Sequence, residues 1–342
     1  MAKGKRKQKK KNVVLGLDLG ATAIKAVEMM REGDHLSVTS CAYEEVEDPA
    51  DYDESIRAVI EAGALSTKNV VIGFSGRSTL LQTISLPSDA MDDLEDAVYG
   101  EAEKYVPYDM AEAQLDYHIL DSDPLDRNIK VLLAAVRLSD VEDKLEVLFS
   151  AGINPSQIDV ELIALANAAE TANRHGFFLS ENQPLCMVDF GASKTLITVT
   201  DGAAHVFREF PVGGITLTEM VAQRFGVSMD KAEAIKLDPG DDIDTVKDAI
   251  YPGLEDITAE IRSCLDQFKN QSNGRDTKLM LLSGGLVAFN GVTPLIGKLT
   301  KTEARIFDSF GSVDSSELDE VFVGEHAHEF SVAFGLACHA RE

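Results

Sequence analysis

Two short stretches of this chain, 171 residues apart, share the form Asp, apolar residue, Gly, Ala, hydroxyl. They are Asp18-Leu19-Gly20-Ala21-Thr22 and Asp189-Phe190-Gly191-Ala192-Ser193. An aspartate at a strand end is a hard oxygen ligand for Mg²⁺, commonly through water. Glycine lets the backbone approach a ligand closely, and successive turn amides form a nest for anions. Thr22 and Ser193 add hydroxyl donors, and Lys25 adds a positive charge suited to phosphate oxygens. Taken singly, each turn also fits an ordinary β-hairpin with an exposed aspartate. Two such turns face to face would hold a triphosphate from both sides, with both carboxylates on the metal. The Gly-x4-Gly-Lys-Ser/Thr pattern is missing, so neither turn is a Walker phosphate loop.

The elements around these turns are legible from spacing. Val13–Leu19 is an apolar run too short for a helix, which predicts a strand; Ala23–Met30 returns as its hairpin partner and Leu36–Ala42 is a third strand. A helix over Asp53–Leu65 and strands over Asn69–Ser75 and Ser78–Leu86 follow. The opening pattern comes back at Leu185–Asp189 and Thr195–Thr200, so an internal duplication into two halves is expected. Helices are expected at Ile215–Phe225, Ser228–Leu237, Ile243–Gln271 and Glu329–His339. Lys278–Leu282 reads as a strand leading to Ser283-Gly284-Gly285, where paired glycines let a flat ring pass over the backbone. Glu233 and Lys236, three apart, share one helix face, which by itself is better explained by a solvated salt bridge.

Residues 87–152 have a different texture. Met91, Leu94, Val98, Ala102 and Tyr105 step by three and four and stop at Pro107, an amphipathic helix. Strands over Gln114–Leu120 and Ile129–Arg137 follow, then a Ser139–Glu142 capping box opens a helix to Ala151 that Gly152 closes. The segment is expected to be a small α/β insertion.

Composition bounds the function. The 342 residues are 44 % hydrophobic and 26 % charged, an ordinary globular balance. Residues 1–12 hold seven of the 32 basic residues and no acid, so the rest sets 25 basic against 58 acidic residues, a net of −33. A body this acidic repels nucleic acid and anionic lipid. Either the basic tail is a disordered solubilising extension, or it touches anionic lipid weakly. Cys41, Cys186, Cys264 and Cys338 form no Cys-x2-Cys pair and are expected as small core residues. No apolar window reaches the length of a spanning helix.

With these residues in view, the chain resembles the actin, sugar-kinase and heat-shock-chaperone ATPase superfamily. Gly16–Lys25 and Val188–Thr195 resemble its two phosphate motifs, Leu281–Gly285 its adenosine motif, and Ile158–Ala169 and Val332–Ala337 its two connecting motifs. Within that superfamily it is most similar to the PilM family of type IV pilus assembly, and less so to the related FtsA. The tokens are Lys25-Ala26-Val27-Glu28, Leu86-Pro87, Gly100–Pro107, Phe210–Gly214 and Ala232–Lys236.

The resemblance implies an actin-like, ribonuclease H-like two-lobed α/β ATPase fold with a small FtsA-like insertion. It implies a first lobe from 13–86 and 153–180, the insertion at 87–152, and a second lobe from 181–342. Within the second lobe, 206–277 would be a helical subdomain and the last helix would return to the hinge. Asp18 and Asp189 would hold Mg²⁺, Lys25 the ATP phosphates, and Glu233 with Lys236 the ribose and adenine edge. Gly213 and Gly214 would border the phosphates, and Glu161 would orient attacking water. Ala21 stands where relatives often carry serine and Ala192 where some hydrolases carry a carboxylate, so slow or no hydrolysis is expected. The implied setting is the cytoplasmic face of the bacterial inner membrane. The implied partner is the short cytoplasmic tail of a PilN-like bitopic membrane protein, captured near Tyr105, Val106, Pro107 and Tyr108, with other pilus assembly proteins and self-association as further contacts. Those four residues would equally serve to cap the insertion's own core. A nucleotide-free secretion adaptor of the GspL type, an FtsA-like division protein and a sugar or acetate kinase are the alternatives.

Overall fold

Apolar runs flanked by glycine become adjacent strands in the computed structural model, which describes residues 11–33, 35–46, 48–121, 128–174, 183–201 and 204–341. Strand β1 (Lys11–Leu19) pairs antiparallel with β2 (Ala23–Glu32), and β2 with β3 (His35–Glu45). Helix α1 (Tyr52–Ala62) then crosses over to β4 (Val70–Phe74), which lies parallel to β1, as a parallel pair requires. The basic tail expected over 1–12 lies outside the described residues except for Lys11 and Asn12. These two begin β1, and Asn12 donates to the Ala340 carbonyl at 3.2 Å.

The chain next forms β5 (Leu80–Pro87), α2 (Leu94–Ala102), β6 (Ala113–Asp121), β7 (Asn128–Arg137), α3 (Leu138–Ser150), β8 (Gln157–Val160) and α4 (Glu161–Arg174). Strand β8 completes a five-stranded sheet of order β3-β2-β1-β4-β8. Strand β5 joins a separate three-stranded sheet of order β5-β7-β6, with Leu80 opposite Ala135 and Pro87 opposite Asn128. The expected boundary at 86/87 therefore falls inside the insertion. Ile84 and Leu86 point to one face and pack with Val98, Ala102 and Val131. Local alternation shows that such a strand has a buried face, not which sheet supplies its hydrogen bonds.

At the other end, Leu148 of α3 and Ala151 pack with Ile56 and Val59 in the first lobe's core. Helix α3 thus leaves the insertion for the lobe. Its expected capping box does not form: Arg137 occupies the cap, and the Ser139 hydroxyl donates to Asp140 at 3.3 Å.

The second half repeats the first sheet's order. Strands β9 (Leu185–Phe190), β10 (Thr195–Thr200) and β11 (His205–Phe210) form an antiparallel meander, followed by α5 (Gly214–Phe225), α6 (Met229–Leu237) and α7 (Ile243–Gln271). Then come β12 (Leu279–Ser283), α8 (Val292–Thr300), β13 (Glu303–Ile306), α9 (Glu320–His326) and α10 (Ser331–Ala337). The sheet runs β11-β10-β9-β12-β13, with β12 parallel to both neighbours.

Helices α4 and α10 lie between the sheets, in one core containing Val14 and Val27 of the first and Met187 and Leu281 of the second. Their approach is very close. A Cβ on Gly335 would stand 1.9 Å from the Ala164 carbonyl oxygen, and one on Gly16 would stand 2.1 Å from that of Ala333. All four cysteines are free, and three are buried. Among the described residues no helix is long and apolar enough to cross a membrane.

Candidate functional site

Both aspartate turns open onto one cavity of about 850 Å³ between the lobes. Hairpin register explains Lys25: it is the cross-strand partner of Asp18, with its ammonium 3.8 Å from Oδ2. The Tyr52 hydroxyl braces this turn by donating to the Gly20 carbonyl at 2.9 Å. Thr22 and Ser193 are exposed and line the cavity from opposite lobes, with Gly20, Ala21, Gly191 and Ala192 beside them.

Gly213 and Gly214 divide in role. Gly214 lines the cavity, whereas Gly213 lies beneath the second turn, where a Cβ would meet the Gly191 and Ala192 carbonyl oxygens at 2.6 Å. The Gly214 and Ile215 amides donate to those same carbonyls at 3.0 and 2.8 Å. The first amides of α5 therefore hold the turn and do not point at a ligand.

Three carboxylates crowd the cavity floor. Burial pushes Asp18 up to about 6; Lys25 opposes the shift, while Glu161 and Asp189 reinforce it. Burial also raises Asp189, against hydrogen bonds from the Ser283 and Ser331 hydroxyls, both 2.9 Å from Oδ1. For Glu161 burial is again the largest influence, but Lys194 and Lys144 outweigh it and hold the carboxyl below the usual glutamate range. Lys194 Nζ is 2.9 Å from Glu161 Oε2 and Lys144 Nζ is 3.9 Å from Oε1. Lys144 also donates to the Gly73 carbonyl at 2.6 Å, and burial lowers it.

At the far end of the cavity, Gly284 has φ +85°, and a Cβ there would stand 2.3 Å from the Phe190 carbonyl oxygen. Only glycine permits this turn, and Gly285 beyond it has open space. Glu233 and Lys236 share a helix face opposite, as their spacing requires, with Nζ 2.7 Å from Oε2. Lys236 is buried and also donates to the Thr218 hydroxyl at 2.8 Å and the Gly214 carbonyl at 3.3 Å. Leu237 and Ile215, both exposed, border the opening.

Among the described residues no three His, Cys, Asp or Glu side chains gather into a cation cage. Two hard carboxylates, one of them electrostatically strained, nonetheless suit Mg²⁺, which brings most of its ligands as phosphate and water.

Both turns named from the sequence, Asp18 to Thr22 and Asp189 to Ser193, line the cavity, whereas the sequence assigns no role to Lys144, Lys194, Ser283 or Ser331. Lys194 directly follows the second turn, a signal available from spacing. Lys144 sits mid-helix and reaches Glu161 only because α3 docks on the first lobe, which no local pattern encodes.

On the insertion, Tyr105 is 41 % exposed. Val106 packs into the insertion's core, and Tyr108 lies under the Arg137 guanidinium, 4.9 Å from its ring centre, with its hydroxyl on the Ser78 carbonyl at 2.9 Å. Capping of the insertion's own core thus holds for Val106, while Tyr108 braces Arg137 and the chain at Ser78. Met91 and Tyr99 are exposed alongside Tyr105 at 48 % and 44 %.

Two five-stranded sheets of one order, joined by hinge helices around a cleft with an aspartate turn on each side, define the actin-like two-lobed fold. The family described as type IV pilus assembly protein PilM matches residues 16–341, and the chain belongs to it. The chain is similar at 26 % identity and a TM-score of 0.81 to a solved PilM-PilN type IV pilus biogenesis complex, covering 96 % of this chain and 98 % of that one. It is also similar to the ethanolamine utilization protein EutJ of Carboxydothermus hydrogenoformans (15 % identity, TM-score 0.55, 96 % and 89 % covered). A third likeness is to MreB5 of Spiroplasma citri bound to AMPPNP (12 %, 0.50, 91 % and 96 %). The last two show the fold alone. The family match places the chain in type IV pilus assembly and favours neither a secretion adaptor nor a division protein.

Proposed function

We propose that this chain binds Mg-ATP between its lobes and, as a scaffold at the cytoplasmic face of the inner membrane, captures the short cytoplasmic tail of a PilN-like protein on its insertion. The observation that carries the nucleotide reading is the pair of aspartate turns facing one cavity, with Lys25 across from Asp18. Asp18 and Asp189 would hold Mg²⁺, which supplies charge neutralisation for the phosphates. Seven carboxylates and four lysines line the cavity, so free ATP meets net negative charge and the metal complex is the acceptable ligand. Thr22, Ser193 and Lys25 bind phosphate oxygens, and Gly284 and Gly285 leave space for the base over against Glu233 and Lys236. Ala21 and Ala192 place no polar group at the phosphates, and Glu161 is engaged by two lysines, which together support slow or no hydrolysis. Support for the partner comes from the similar PilM-PilN complex and from the exposed Tyr99 and Tyr105. Self-association and weak contact of the basic residues 1–12 with anionic lipid belong to the same proposal.

Calorimetric titration with ATP, in Mg²⁺ and then in EDTA, tests the nucleotide reading. Saturable binding only with Mg²⁺, and phosphate release near background, is the expected result. Equal binding without metal, or none with it, overturns the assignment.

A further inference from the structure

Lys194 belongs to the second lobe, yet its ammonium is surrounded by the first. It lies 2.9 Å from Glu161 Oε2 and donates to the Ser75 hydroxyl, with Glu209 of its own lobe 3.9 Å away. Glu209 reaches across in turn, accepting the Gly76 amide at 3.1 Å. Ser75 and Gly76 begin the link from β4 to β5, the stem on which the insertion is mounted. Two residues on, Ser78 donates its hydroxyl to Asp140 and offers its carbonyl to Tyr108 of the insertion. One cluster therefore ties the second phosphate turn to the base of the insertion.

We propose that Lys194 is a positioning residue that senses the terminal phosphate of the bound nucleotide and thereby couples the cleft to the insertion. The inference rests on the nucleotide-binding reading above. Lys194 lines the cavity immediately after Gly191-Ala192-Ser193, so a phosphate held by that turn competes with Glu161 and Ser75 for the same ammonium. When Lys194 turns to the phosphate, the stem loses its tie at Ser75, and Glu209, which holds the Gly76 amide, loses its cation. The two states differ in which anion holds one half-buried ammonium. Such a differential contact is what a ligand needs in order to shift a conformational equilibrium. A nucleotide lacking the terminal phosphate leaves the cluster as it stands.

The test is amide hydrogen exchange of the full chain over residues 75–79, with calorimetric titration run in parallel. AMPPNP with Mg²⁺ should speed exchange of this segment about fivefold or more, the lower end of ordinary allosteric coupling, and Mg-ADP should not. Lys194→Gln should abolish the difference between the two nucleotides, and Lys194→Arg, which keeps the charge, should restore it. Glu209 does not line the cavity. Glu209→Gln should therefore speed exchange of the segment in the nucleotide-free protein, tighten AMPPNP binding because one competitor for Lys194 is gone, and leave Mg-ADP affinity unchanged. Binding seen by calorimetry with no change over 75–79 overturns the coupling and leaves the nucleotide reading intact. Absence of binding overturns both. An unaltered nucleotide-free exchange rate in Glu209→Gln also overturns the coupling.

Discussion

The ammonium of Lys194, on the second lobe, stands 2.9 Å from Oε2 of Glu161, the first residue of α4 on the first lobe. Lys144 approaches the other oxygen of the same carboxylate at 3.9 Å. Glu161 is thus the counter-ion of two lysines before any substrate is considered. Removing one member of a buried charge cluster leaves the others uncompensated, at a cost of roughly 3 kcal/mol. Glu161→Gln should lower the melting temperature of the nucleotide-free protein by about 5 °C or more. The freed lysines should keep or tighten Mg-ATP binding. Scanning calorimetry with and without nucleotide measures both, and weaker binding alongside unchanged stability would show that Glu161 contacts the ligand instead.

Asp18 has the opposite electrostatic history. Its carboxyl is raised from 3.8 to about 6, chiefly by burial. A raised acid contributes stability that is present below 3.8 and lost as pH climbs through about 6, so at neutral pH ionised Asp18 destabilises the empty protein. Asp18→Asn should accordingly raise the nucleotide-free melting temperature at pH 7.5, by up to about 3 kcal/mol of stability. The same change should weaken Mg-dependent nucleotide binding at least about tenfold, the pattern of a site that trades stability for function. Melts at pH 5 and pH 7.5 separate the cases, because the stabilisation should fall to about half at the lower pH, which lies between 3.8 and about 6.

How much of this was written locally is clear from these residues. Asp18, Lys25 and Asp189 sit where hairpin periodicity places them, since a two-residue alternation and a glycine turn are short-range signals. The repeated sheet order follows from the repeated pentad. Lys144 was illegible because its role depends on α3 packing beside α1, a long-range event. Strand β5 lies in the insertion and not in the first lobe expected over 13–86 for the same reason: pattern gives a strand its buried face, but only partners decide its ladder. The hydroxyls of Ser283 and Ser331 meet on Asp189 from elements 48 residues apart in sequence, with no spacing rule to link them.

Glu28 offers a test of stability remote from the cleft. It is buried on β2 and accepts from the Thr39 hydroxyl at 2.9 Å on one oxygen. The other accepts from the Ser66 amide and hydroxyl at 2.8 and 2.9 Å and the Thr67 amide at 3.1 Å. Burial acts to raise its pKa, but these donors outweigh it and hold the carboxyl below the ordinary 4.5. A lowered acid contributes stability above 4.5 that fades as pH falls through the depressed value. Glu28→Gln would set an amide group against hydrogen-bond donors and should cost about 1–3 kcal/mol at pH 7. Urea titrations at pH 7 and pH 3.5 should show that difference shrinking in acid.

The hinge has no room for a methyl group. Gly335 and Gly16 meet the Ala164 and Ala333 carbonyls at distances no Cβ tolerates. Gly335→Ala must push α10 from α4, whereas Gly100→Ala, with open space around the position, should be harmless. The first should cost about 1–3 kcal/mol through overpacking. It should also widen the cleft and weaken Mg-ATP binding, even though Gly335 does not line the cavity. Equal behaviour of the two variants in thermal melts would sink this account.

The partner surface can be narrowed to side chains the insertion does not bury. Val106 and Tyr108 are engaged inside it, so mutating them would disturb folding as much as binding. Tyr99 and Tyr105 are exposed, and the Tyr99 hydroxyl reaches the Met110 carbonyl at 3.3 Å, just ahead of edge strand β6. An extended tail adding its backbone along β6 would lay alternate side chains beside these rings. Glu95, Asp96, Glu101 and Glu103 lie on or next to α2. They would favour a tail rich in lysine and arginine and make its capture salt-sensitive. Tyr99→Asp with Tyr105→Asp should weaken capture of a PilN-like cytoplasmic tail peptide by about 2 kcal/mol or more, as loss of aromatic anchors does. Mg-ATP binding and melting temperature should not change. Fluorescence anisotropy with a labelled tail reads the first, calorimetry the others. Undiminished capture, or cross-links that map the tail to residues 206–277, would move the partner site off the insertion altogether.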